Sequence, residues 1–301
     1  MPNKNPEKVE FMGLFVLQVV NGMVNGMLYG LAALGFSMIF KALGYMNFAH
    51  ADTIMIGAIV YYVMISGLNL PYYVAFAITL LLVMGYGVLT EKLLFVRFRK
   101  TSPITFMLVA MSLSTVVKNA TLLLFGSLPH GLNINYTNAY FTVGGMKISL
   151  NNFVIMGIAL LILAALQLFF TKTKFGLSIR MAQDDPDTAS AMGVNVLSTR
   201  AATFGISAGL GCVAGMLMGP LFSISTELGT QISLKSFISA VIGGLGNFAG
   251  SIFGGLIVGV AESLGATYIS SGYKDVIVYV AGIIVLGFFP YGIFRRVSTK
   301  P

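Results

Sequence analysis

Few residues in this chain could do chemistry, and those few lie in apolar surroundings. Asn21 and Asn25 stand one helical turn apart in a run of Val, Met, Leu and Gly. Amides at membrane depth either bond to a neighbouring helix or line an aqueous cavity, and the pattern leaves both roles open. Lys118 and Glu262 are ionisable residues inside long apolar runs, which makes each a functional candidate by default. Both fall toward the outer ends of their runs, so Lys118 can instead snorkel to the headgroups, and a Lys118–Glu262 pair is a third option. The rest of the inventory excludes chemistry. Cys212 has no second thiol to pair with, and with His50 and His130 far apart no Cys/His zinc set is available, so no metal site is expected. No Gly-Lys dipeptide occurs, which excludes the phosphate loop of P-loop ATPases. No nucleophile–base pair points to an integral membrane enzyme.

Side chains of this kind must be positioned by membrane helices. Of 301 residues, 56% are hydrophobic and 9% charged, against about 25% charged in an ordinary soluble domain. So small a charged fraction cannot cover a soluble fold of this length. The composition is that of an all-α, polytopic membrane protein, read as one transmembrane domain over 1–301. The 18 Lys and Arg against 10 Asp and Glu give a net charge of +8. These basic residues form short clusters between apolar runs, a pattern of cytoplasmic loops and not of nucleic-acid binding. A spanning helix needs about 20 apolar residues, which selects 11–40, 54–66, 70–90, 103–125, 152–170, 200–222, 233–266 and 276–290. The first exceeds a signal-peptide core of about 7–15 residues and has no small-residue cleavage site after it, so it reads as a retained span. Segment 54–66 is short, and its uncharged turn from Gly67 to Pro71 makes a tight hairpin with the next.

Charge sets the orientation. Three basic clusters belong inside: Lys92, Arg97, Arg99 and Lys100; Lys172, Lys174, Arg180 and Arg200; and Arg295, Arg296 and Lys300. The loop 126–151 holds only Lys147 and belongs outside. Crossing parity then conflicts with a simple count. If 200–222 runs outward, single crossings by 233–266 and 276–290 leave the basic tail outside. The tail returns inside only if 233–266 visits the membrane twice. Its sequence permits that, because Gly243-Gly244-Leu245-Gly246-Asn247 separates two apolar stretches. A broken or re-entrant Gly-rich segment is tolerated where protein or a water-filled path partners the freed backbone groups. Gly243, Gly244, Gly246 and Asn247 are therefore candidates for a pathway or gate; the alternative is a single tilted helix weakened by glycine. Working backward, loop 41–53 lies inside and the N-terminus outside, on a tail where Lys4 and Lys8 balance Glu7 and Glu10.

Glycines recur at four-residue spacing in Gly22, Gly26 and Gly30, in Gly211, Gly215 and Gly219, and in Gly246, Gly250 and Gly254, with Gly255 and Gly259 beside them. In a bilayer, small residues that admit close backbone approach drive helix packing. The first two ladders read as packing; the third, inside the broken segment, can also line a path or move in gating. The inside loop 172–199 reads as a structured coupling element. Asp185 is a good N-cap, Pro186 fits the first helical position, Asp187 suits the positive end of the helix dipole and Gly193 suits C′. Ala189, Ala191 and Met192 then form a small apolar patch, fit to dock on another protein or to lie against the chain's own spans.

Val20-Asn21-Gly22 through Gly30-Leu31-Ala32-Ala33-Leu34-Gly35, then Gly44-Tyr45-Met46-Asn47-Phe48-Ala49-His50, resembles the opening of bacterial branched-chain amino acid ABC permeases of the LivH type. Phe175 to Asp184 and Ala189 to Asn195 are similar to that family's coupling region. Lys235-Ser236-Phe237 through Gly246 to Glu262, then Tyr273-Lys274-Asp275-Val276 and Pro290-Tyr291-Gly292-Ile293, follow in order. The sequence departs at Ala51, where the family usually has glycine before an acid kept here as Asp52, and at Lys118, where an uncharged amide is commoner. The resemblance implies a permease subunit of a binding-protein-dependent importer in the bacterial inner membrane, moving branched-chain or other aliphatic amino acids. Urea, short-amide and sugar permeases share the framework. It adds Asn47, His50 and Asp52 to the pathway candidates, and Arg180, Asp184, Asp185, Asp187 and Gly193 as ATPase-coupling candidates. The partners it implies are two ATP-binding-cassette subunits, a second permease in a heterodimer, a periplasmic substrate-binding protein and membrane lipid. ATP is bound by the partners, so no cofactor is expected on this chain. An ion-coupled carrier is the contrasting class, for which Glu262 is the weak acidic candidate.

Overall fold

The computed structural model describes residues 6–98, 101–132, 140–143, 146–289 and 292–294. Helices α1 (Pro6–Leu43), α2 (His50–Tyr62, continued by a π turn over Val63–Gly67), α3 (Tyr72–Leu93) and α4 (Pro103–Phe125) come first. A small antiparallel hairpin of β1 (Tyr140–Val143) and β2 (Met146–Ser149) follows, with Tyr140 opposite Ser149. The chain continues through α5 (Leu150–Lys172), α6 (Lys174–Asp184), α7 (Pro186–Ala191), α8 (Val196–Met218), α9 (Leu228–Gly243), α10 (Phe248–Tyr268) and α11 (Lys274–Phe288). Among the described residues, eight helices are long and apolar enough to cross a membrane. The architecture is the all-α, polytopic one that the composition requires. Two spans outrun the sequence reading: α1 reaches 38 residues, about 57 Å, and α2 begins at His50 instead of 54.

Polar caps start the helices that re-enter the apolar layer. Ser102 accepts from the Thr105 amide to open α4, with Pro103 in its first turn. Ser149 caps α5 through Asn151, and Asn195 caps α8 through Ser198. Each supplies an acceptor to a backbone amide that has no partner inside its own helix.

The interruption expected within 233–266 is present. Helix α9 ends at Gly243 and α10 starts at Phe248. Gly244 and Gly246 take φ values of 88° and 82°, a region open to glycine because it lacks Cβ. Asn247 caps α10 by accepting from the Gly250 amide at 3.2 Å. With 16 residues, α9 is about 24 Å long, short of the ~30 Å hydrocarbon core. The freed backbone groups find partners in protein: the Ile293 amide donates to Ile242 O at 2.8 Å, and Asn247 Nδ2 donates to Phe294 O.

These contacts order the two ends of the bundle. Lys41, at the end of α1, pairs with Asp184 at 2.8 Å and lies over the Phe248 ring. The ends of α1 and α6, the α9–α10 break and residues 292–294 therefore share the end that carries the basic loops. At the opposite end His130 pairs with Ile224 in an isolated antiparallel bridge. Two passes by α9 and α10 are what this arrangement contains, as the crossing parity demands. Of the charges used in that count, Lys4, Arg99, Lys100, Arg295, Arg296 and Lys300 fall outside the described residues.

Helices α1 and α8 sit innermost, with 78% and 89% of their most apolar windows buried, against 6% for α4. Glycine seams bring the inner helices together. A Cβ at Gly26 would stand 2.7 Å from Leu256 Cα, and one at Gly22 would stand 2.7 Å from Val260 Cα. Gly255 and Gly259 approach α1 from the facing side, while Gly250 and Gly254 abut Gly243 and Ser239 of α9. Those four glycines of the third ladder thus sit in packing seams, and Gly246 lies at the break. Cys212 is buried against Gly57 of α2.

Candidate functional site

At the end away from the basic loops, polar residues of four helices converge on a cavity of about 290 Å³. Gln18, Asn21 and Asn25 of α1 and Asn152 of α5 supply amides; Glu262 and Ser263 of α10 and Lys274 of α11 complete the polar wall. Val24, Leu221, Phe222 and Ala266 make the apolar wall. Asn152 Nδ2 donates to Asn21 Oδ1 at 2.9 Å, so Asn21 both bonds across a helix interface and lines the cavity. Ser263 Oγ lies 2.8 Å from Gln18 O and 2.9 Å from its Oε1. Asn25 faces the cavity and makes no side-chain hydrogen bond among the described residues.

Beneath the cavity lies an ionic network, buried at Tyr29, Lys235 and Glu262 and half-exposed at Asp275. Lys235 Nζ of α9 is 2.6 Å from Glu262 Oε1 and 2.7 Å from Asp275 Oδ1 of α11. Tyr29 Oη of α1 donates to Glu262 Oε2 at 2.7 Å, and the Lys235 ammonium lies 5.7 Å from the Tyr29 ring centroid. A buried charge is tolerated when its partners are close and its hydrogen bonds are filled. Here one ammonium meets two carboxylates and a ring face, and four helices are tied at one point. The sequence reading named Glu262 but passed over Lys235 as an intramembrane charge, together with Tyr29, Asp275 and Asn152. The available signal for Lys235 was its position inside the apolar stretch before the glycine break.

Lys118 takes a different partner from the pair considered above. Its Nζ lies 2.8 Å from Glu227, while Glu262 is enclosed by Lys235 and Tyr29. Helix α4 touches the bundle mainly at α2, so its lysine meets the residue preceding α9 and does not reach α10.

Asn47, His50 and Asp52 are all buried, and none lines the 290 Å³ cavity. Asn47 Oδ1 accepts from the Ala49 amide at 3.1 Å. The His50 ring bridges Ala32 O and Ser207 Oγ, each at 3.2 Å. Asp52 Oδ1 accepts from Ser114 Oγ at 2.9 Å. Together they anchor the start of α2 to α1, α8 and α4.

At the opposite end, the coupling region is two helices where the sequence suggested one. Thr173 caps α6 by accepting from the Gly176 amide at 2.9 Å. Asp185 Oδ1 accepts from the amides of Asp187 and Thr188, both at 3.1 Å, and opens α7 behind Pro186. Gly193 closes the turn at φ 85°. Asp184 pairs with Lys41, Arg180 is half-buried on α6, and Asp187 is exposed. The expected apolar patch divides: Ala189 is 1% exposed and turned inward, whereas Ala191 and Met192 face out. A helix this short buries its central side chain against its neighbours and leaves its ends free.

Residues 18–286 match the family model described as "Branched-chain amino acid transport system / permease component". The chain belongs to this family. It is 31% identical to the high-affinity branched-chain amino acid transport system permease protein BraD of Pseudomonas aeruginosa, over 95% of this chain and 97% of that protein. It is equally close to the permease protein LivH of Escherichia coli K12, at 31% over the same shares. The probable branched-chain amino acid transport permease protein LivH of Methanocaldococcus jannaschii is 26% identical over 87% of each chain. The family and the apolar spans make this chain a transport permease and a multi-pass inner-membrane protein.

Proposed function

We propose that this permease serves an ABC importer that moves branched-chain or other aliphatic amino acids inward, driven by ATP-binding-cassette subunits docked on α6 and α7. The cavity carries this reading: about 290 Å³, walled by amides and charges on one side and apolar residues on the other, at the end where a binding protein would deliver solute. Helix α1 links the two working ends. It places Asn21 and Asn25 on the cavity, Tyr29 on the ionic network and Lys41 against Asp184 of the docking face. Closing an ATPase dimer against α6 and α7 would bias α1 between two arrangements, because uphill transport needs such a coupled equilibrium. A second, related permease subunit completes the pathway.

The test is reconstitution with the ATPase subunits, the partner permease and the binding protein, followed by ATP-dependent uptake of labelled leucine. Uptake of urea with no response to leucine, isoleucine or valine would replace the substrate. Reversing Asp184 to Lys is expected to lower ATPase-coupled uptake by tenfold or more while leaving the assembled membrane domain intact; unchanged transport would move coupling elsewhere.

A further inference from the structure

The arrangement of charge around the cavity says more than that a polar solute passes. Lys235 is shared by Glu262 and Asp275, so this group, buried at Lys235 and Glu262 and half-exposed at Asp275, holds two carboxylates against one ammonium and keeps one negative charge in excess. Glu262 is the member of the group that reaches the cavity wall. Lys274 lines the same cavity from α11 and has no acidic partner among the described residues. The cavity therefore presents Glu262, a carboxylate of a group that carries one negative charge in excess, and Lys274, an ammonium without an acidic partner among the described residues, with the free amide of Asn25 on the α1 wall beside Val24. A solute of one sign would match only one of these two groups, whereas a zwitterion matches both.

We infer that this cavity is a binding site for an amino-acid zwitterion, with Glu262 receiving the ammonium, Lys274 the carboxylate, and Val24, Leu221 and Phe222 an aliphatic side chain. The inference rests on the importer reading and assigns the residues that would select the solute inside the permease itself. Selectivity within the membrane domain then requires both charges of the solute and not its aliphatic part alone.

The assembled transporter in nanodiscs, without binding protein, allows weak binding to be read by saturation-transfer NMR. The probes are L-leucine, 3-methylbutylamine, which lacks the carboxylate, and 4-methylpentanoate, which lacks the ammonium. Leucine is expected to bind at least tenfold more tightly than either analogue. Lys274→Gln is expected to remove most of that preference and Lys274→Arg to restore it. If the analogues bind as well as leucine, or if Lys274→Gln assembles with the leucine preference intact, the site assignment is overturned. Should Lys274→Gln fail to assemble, the analogue series on the unmodified protein decides alone. ATP-dependent leucine uptake measured in parallel separates the two readings: uptake with no zwitterion preference removes only the site, and no amino-acid uptake at all removes both.

Discussion

The most apolar windows of α10 and α4 have mean hydropathies of 1.5 and 1.6, yet half of the first is buried and only 6% of the second. Helix α10 carries Gly250, Gly254, Gly255, Gly259 and Gly265 along with Glu262, whereas α4 contains no glycine. Lipid tails are as apolar as leucine, so apolarity says that a helix crosses the membrane and nothing about what it crosses against. Small residues and polar partners carry that second message. Helix α10 lies against α1 and α9 through its glycines and is held by Glu262. Helix α4 turns Leu108, Val116, Leu123 and Leu124 outward. Its exposed polar groups are satisfied within the helix: Ser112, Thr115 and Asn119 donate to the carbonyls of Leu108, Met111 and Thr115, each four residues back, while the half-buried Ser114 and Lys118 reach Asp52 and Glu227. Such a helix can face lipid without leaving a polar group unpartnered.

The contrast is broken most strongly at Lys235. Lys235→Met leaves Glu262 and Asp275 without their ammonium, and losing one partner of a buried ionic group costs about 3–5 kcal/mol. Thermal unfolding of the purified subunit should drop sharply, and adding Glu262→Gln should recover part of the loss by removing one stranded carboxylate. A melting curve unmoved by Lys235→Met would mean that α10 is held by its glycines alone. Those glycines give the next largest effect. Gly26→Val drives a branched side chain into Leu256 and should cost at least 1–3 kcal/mol, roughly the range for overpacking. Ala120→Val on the exposed side of α4 should stay within about 0.5 kcal/mol. Equal shifts for the two valines would erase the distinction between the helices.

Much of this is legible in the sequence. The spans show as apolar runs, and the break shows twice, once as Gly243 to Asn247 and once as a parity conflict among basic loops. The Asp185 cap is visible because capping is local and depends on residues within one turn. What joins distant segments left no such trace. Tyr29 and Glu262 are 233 positions apart and Asn21 and Asn152 are 131 apart, so no spacing rule connects them. A Lys118–Glu262 pair is left open by the sequence for the same reason: two charges at similar depth are equally good partners until the helix packing is known. Lys235 stands inside the apolar stretch before the glycine break, which marks it as an intramembrane charge, but nothing in its spacing says that Glu262 and Asp275 are its partners.

The proposed docking face is expected to behave unlike either helix, since α7 has little buried surface and depends on its cap. Asp185→Ala should cost about 1 kcal/mol locally. Amide hydrogen exchange over 186–192 should quicken and ATPase-coupled uptake should fall, while the melting temperature of the whole subunit stays put. A global loss of stability would show instead that α7 is part of the packed bundle.

The smallest expected effect tests the lipid-facing reading of α4. Leu123 and Leu124 are 87% and 90% exposed, so truncating either to alanine removes apolar surface that is not packed in the subunit. Each change should shift stability by no more than about 0.5 kcal/mol, in the isolated subunit and in the assembled transporter alike. A loss confined to the assembled transporter would place the second permease against α4. The difference between the two helices would then be one of packing partner, within the chain for α10 and between chains for α4, and the absence of glycine on α4 would mark an interface built from large side chains.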